Sequence, residues 1–115
     1  LFKEAMEKSY EAYASLLDLG IPQEDARFVL PNACETHLVV TMNARELLHF
    51  FALRLCKRAQ WEIRDVARQM LLLSREKAPA LFAKAGPSCV TEGVCSEAKP
   101  CGAPYSGLED LLAAH

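Results

Sequence analysis

The 115-residue chain is short of most features that announce a function. It has no excess of one charge: thirteen Lys and Arg stand against fifteen Asp and Glu, for a formal net charge of −2. A general nucleic-acid binder carries a basic domain, so no nucleic-acid partner is expected. No stretch reaches the roughly 18 consecutive apolar residues of a spanning helix, and no membrane partner is expected either. There is no signal-peptide pattern. No phosphate-cradling Gly-rich loop, Ser/His/Asp set or His-Glu-x-x-His pattern occurs. Five cysteines are too few for a disulfide scaffold of this length. An initiator Met is missing as well: Leu1 already lies inside a helical pattern, and we expect the chain to be a piece of something longer.

What is present is a globular composition, 51% apolar and 24% charged. From Phe2 to Leu19, the residues Phe2, Met6, Tyr13, Leu16 and Leu17 recur at helical spacing, with Glu4, Glu7, Lys8 and Glu11 on the other side. Gly20 should stop this helix, and Pro22 suits the first turn of a short second one. The second helix must end before Pro31, because the residue preceding a proline is driven to extended geometry. Thr36–Met42 (THLVVTM) is rich in β-branched residues and apolar on both faces, which predicts one buried strand. Its ladder partners would have to come from elsewhere. Asn43 and Glu46 form the pattern of a capping box, opening a helix that carries Leu47, Leu48, Phe50, Phe51 and Leu55. A further helix from about Ala59 to Pro79 aligns Ala59, Ile63, Val66, Ala67, Met70 and Leu71. Beyond Gly86 the composition turns to Gly, Pro, Ser and Cys, which reads as a loop or loosely attached tail, with a last short helix over 108–114.

Cys34 and Cys56 read as buried free thiols. Cys89, Cys95 and Cys101 are spaced six apart in the tail, and three thiols with a fourth ligand could hold zinc or an iron–sulfur cluster. They lack the Cys-x2-Cys knuckle of common metal sites, so no metal ligand is assigned. The stretch Asn43 to Arg64 is more informative. Arg45 and His49 are four apart and share a helix face. Arg54 is nine residues from Arg45, about 900° around the helix, and so points to the other side, onto the apolar face of Leu47, Phe50 and Phe51. A cation on an apolar face needs an anionic partner or ligand. Arg27, between Ala26 and Phe28 ahead of the expected strand, poses the same question. The bland answer for each is a salt bridge to Glu24, Glu35 or Glu62. Glu62 could equally pair with Arg58. His37, Trp61 and Tyr10 read as structural or packing residues.

Residues 20–64 resemble the C-terminal half of the flavin-dependent thymidylate synthases. The carrying text is GIPQEDARFVLP, then TMNARELLHFFALR, then AQWEIR, in that family's order and spacing. Residues 1–85 as a whole fit the family as its C-terminal part, and 86–115 form a Cys/Gly/Pro-rich tail. The family's N-terminal Arg-His-Arg motif has no counterpart here. The resemblance implies an α+β fold, here a mainly α-helical fragment with one buried strand, within an oligomeric enzyme. It further implies reductive methylation of dUMP to dTMP, with methylenetetrahydrofolate as carbon donor and NADPH-reduced FAD as hydride carrier, in a cytoplasmic homotetramer.

By the same resemblance, Arg27 contacts dUMP through its phosphate, Glu24 orients Arg27, Leu53 packs on the base, and Arg54 contacts the uracil ring as the catalytic cation. Asn43, Arg45, His49 and Arg58 fall on the flavin side. Two readings from other classes compete: a non-catalytic helical assembly module, and a small metal-binding protein built on the Cys tail.

Overall fold

A computed structural model describes residues 1–114. They divide into two compact units, Leu1–Val40 and a second that begins at Thr41 and takes in the rest of the described chain.

In the first unit, α1 (Phe2–Asp18) follows the amphipathic pattern, with Lys8 Nζ 3.1 Å from Glu4 Oε1 one turn away on its exposed side. It ends in a Schellman motif. Gly20 takes φ 79°, the Gly20 amide donates to the Leu17 carbonyl and the Ile21 amide to the Leu16 carbonyl. Only a residue without a Cβ takes that left-handed turn without strain. α2 (Gln23–Ala26) then runs into a 3-10 turn (Arg27–Val29) that stops before Pro31. Both pack on α1, yet Ala26 is the one buried residue of this unit among those described.

The expected strand does not form. Residues 35–43 carry no regular structure, and Leu38, Val39 and Val40 are 80%, 103% and 62% exposed. The α+β assignment is corrected accordingly: the described residues are helical, with no strand among them. β-propensity reflects how side chains fit a pleated, half-buried surface. With no second strand to accept its amide protons, the segment leaves its backbone groups to water. His37 follows the same logic, since it is exposed on a coil segment 3.8 Å from the Glu35 carboxylate and holds no place in a core.

The second unit contains the core. α3 (Ala44–Arg54) starts where the capping pattern places it, the Asn43 Oδ1 accepting from the Glu46 amide at 2.9 Å. α4 (Trp61–Lys77) is opened by Gln60, whose Oε1 accepts from the amides of Glu62 and Ile63, both at 3.0 Å. α3 packs on α4, burying Phe51 and Leu55 against Ala67 and Leu71. The turn after α4 adds Phe82, edge-on to Phe51 with ring centroids 6.0 Å apart, and Ala85.

The Gly/Pro-rich segment closes the core instead of hanging from it. After the one-turn α5 (Ser88–Thr91), it delivers Tyr105 and then Leu111 from α6 (Leu108–Ala113). Gly86 makes this approach possible at φ 143°, where a Cβ would press at 3.4 Å on both Leu111 and Val90. Each fully buried Phe or Leu of this cluster contributes roughly 1.5–3 kcal/mol by leaving water.

Candidate functional site

In the first unit, Glu24 sits in the first turn of α2 and Arg27 opens the 3-10 turn. Together with Tyr13, Pro22 and Gln23 they line a shallow depression of about 460 Å³. The structure therefore brings two of the four predicted dUMP residues, Glu24 and Arg27, to one surface. It does not pair them: Arg27 is exposed and has no ion-pair partner among the described residues. Its guanidinium keeps its full hydrogen-bonding fork for a planar anion. Close by, Cys34 holds the Tyr10 hydroxyl above its ordinary pKa by charge and by a hydrogen bond.

In the second unit, the candidate residues are set out along α3 and the turn after it. Asn43 commits its Oδ1 to the helix cap, which leaves the amides of Ala44 and Arg45 pointing outward at the positive end of the helix. Arg45 and His49 are exposed one turn apart, and Leu53, at 49% exposure, continues the same stripe. Arg54 does not share the buried face. Three residues beyond Phe51 it lies about 60° around the helix, at the flank, where its long stem carries the charge to water. Neither Arg45 nor Arg54 has an ion-pair partner among the described residues. The salt bridges to Glu24, Glu35 or Glu62 that would have made these arginines structural are not formed.

Arg58 differs. It lies past the end of α3, so Glu62 is not one helical turn away, and its Nη1 donates instead to Glu97 Oε2 at 2.8 Å. That partner is 39 residues distant in sequence, and no local pattern could have disclosed it. Sequence reasoning also missed a cation-rich cavity formed by the start of α4 and the C-terminal segment, in which Lys57, Arg64 and Arg68 meet. Trp61 stands at its edge, 69% exposed, and is not a packing residue. Tyr105, at the cavity's inner wall, has its pKa raised by burial, an effect the nearby Arg64 partly opposes.

The cysteines are all free thiols. Cys56, Cys89, Cys95 and Cys101 line a second cavity of about 260 Å³ in the same unit. Among the described residues no three His, Cys, Asp or Glu side chains stand where they could share a metal ion.

The chain as a whole has close relatives among known proteins. Residues 1–80 match the family described as thymidylate synthase complementing protein. Over 97 residues the chain is 59% identical to a flavin-dependent thymidylate synthase of Geobacter sulfurreducens, covering 84% of this chain and 41% of that one. It is 54% identical over 90 residues to the flavin-dependent thymidylate synthase of Sulfurisphaera tokodaii, covering 78% and 35%. Against that of Pyrococcus abyssi it is 52% identical over 100 residues, covering 84% and 41%. The chain belongs to the flavin-dependent thymidylate synthase family. It spans about 35% to 41% of the length of these relatives.

Proposed function

We propose that the chain is part of an enzyme that reductively methylates dUMP to dTMP, with methylenetetrahydrofolate as carbon donor and NADPH-reduced FAD. The observation that carries this reading beyond family membership is the state of three guanidiniums. Arg27, Arg45 and Arg54 are all exposed and without an ion-pair partner among the described residues, although the chain has fifteen carboxylate side chains to offer.

Arg27 binds the phosphate of dUMP, and Glu24, on the same depression, sets the position of that guanidinium. Leu53 offers an apolar surface to the base. Arg54 faces a pyrimidine carbonyl, where a fixed cation stabilises negative charge developing as the ring carbon becomes nucleophilic. Asn43, Arg45 and His49 fit a flavin: outward amides at a helix start and two side chains with donor nitrogens on one exposed face suit carbonyl and phosphate oxygens. Arg58 joins that side while tied to Glu97. Bound FAD supplies the hydride, and the protein supplies binding, orientation and charge. The working assembly is a cytoplasmic homotetramer with each site shared between subunits.

The test is a titration of dUMP into the chain, followed by backbone and arginine side-chain NMR. Saturable shifts are expected at Arg27, Leu53 and Arg54, with affinity reduced about tenfold by Arg54→Ala. In the assembled enzyme the same variant should lower kcat/KM by about 10²-fold or more while the oligomer stays intact. Near-normal turnover in Arg54→Ala overturns the role given to that residue. Shifts confined to other surfaces overturn the dUMP assignment.

A further inference from the structure

The cation-rich cavity has features of a built binding site. Its volume is about 770 Å³, inside the roughly 300–1,000 Å³ range of small-molecule pockets. Lys57 comes from the turn after α3, Arg64 and Arg68 lie one turn apart on α4, and among the described residues Asp65 is the only carboxylate on its walls. Leu55, Tyr105 and Leu111 give it an apolar floor continuous with the core.

The cations are held in place. Arg64 Nη1 donates to the carbonyls of Lys57 and Ala59 at 2.9 and 3.3 Å, which ties the turn to the helix. Arg68 donates to Asp65 Oδ1 at 2.9 Å and to the Leu112 carbonyl at 3.4 Å. Lys57 Nζ rests 4.4 Å from the Tyr105 ring centroid. The Asp65 carboxylate is thus already engaged by Arg68, and Gln69 donates to its other oxygen at 2.8 Å. Lys57 and Arg64 have no carboxylate partner among the described residues. Among the described residues no carboxylate compensates these two positive charges over the apolar floor, and the exposed indole of Trp61 stands beside them as a flat stacking surface.

We infer that this cavity binds a small organic anion with a flat ring, of the nucleoside monophosphate class. The ring stacks on Trp61, and the phosphate takes the free hydrogens of Lys57 and Arg64. The cavity includes none of the residues assigned above to dUMP or the flavin, so the inference does not rest on the synthase reading.

Trp61 is the only tryptophan in the chain, so its fluorescence reports on this cavity directly. AMP, adenosine and inorganic phosphate are titrated separately into the 115-residue chain. AMP should change the emission saturably. Adenosine should bind at least about tenfold more weakly for want of the charge, and phosphate more weakly for want of the stacked ring. Lys57→Gln should weaken AMP binding about tenfold with unchanged helical circular dichroism, and Lys57→Arg should restore it. Arg54→Ala should leave the response untouched. Absence of saturation below about 10 mM, equal binding of adenosine and AMP, or indifference to Lys57→Gln would each overturn the site. Loss of the response in Arg54→Ala would overturn it differently, by assigning the signal to the dUMP surface.

Discussion

The two units of this chain use similar residues to opposite ends. Both hold a 17-residue amphipathic helix, α1 in the first and α4 in the second. α4 buries Ala67 and Leu71 completely, whereas α1 buries no residue. Leu1, Phe2, Phe28 and the whole of Leu38–Val40 stay in contact with water in the first unit. Amphipathic patterning therefore secures a helix in both places, but stability follows only where a second layer meets the apolar stripe. In the second unit that layer comes partly from the segment richest in Gly, Pro and Cys.

The contrast is broken most forcefully at Phe51. Phe51→Ala should lower the unfolding free energy of the second unit by about 3–5 kcal/mol, as a buried aromatic leaves a cavity. Tyr10→Ala in the first unit, half exposed, should cost less than about 1 kcal/mol. Urea unfolding followed by circular dichroism measures both, and similar costs would erase the distinction.

Next is Leu111→Ala, expected at about 2–5 kcal/mol if the C-terminal segment is core. A loss below about 0.5 kcal/mol, typical of surface positions, would return that segment to the status of a loose tail. Asn43→Ala should cost about 1 kcal/mol through the lost cap on α3, measured by the same unfolding curves.

The smallest effect concerns pH. Burial raises the Tyr105 pKa, so the folded chain keeps the phenol proton where the unfolded chain has begun to lose it. This contribution is complete below the ordinary tyrosine pKa of about 10 and fades as pH rises through the higher folded value. Unfolding midpoints measured across that range should fall less steeply in Tyr105→Phe than in the parent chain.

Legibility in the sequence followed the range of each interaction. Gly20 and Asn43 act within one helical turn, and both ends form where their chemistry places them. The free state of Arg27 and Arg54 was legible only as a question, because a charge near apolar neighbours is equally consistent with a salt bridge. The geometry answers it by turning both side chains to water. Thr36–Met42 shows the limit more sharply. Its composition is that of a strand, but a ladder is a property of two segments, and no second strand exists among the described residues.

The sequence therefore determined α1 to α4, the helix ends at Gly20 and Asn43, and the family. The helices depend on neighbours three or four residues apart, and the family on continuous blocks of text. Tertiary structure alone decided the rest: that Glu97 reaches back to Arg58, that Tyr105 and Leu111 complete the core, and that Lys57 and Arg64 share one cavity with Tyr105 and Leu111. These contacts join residues far apart in the chain, and only packing brings them within reach.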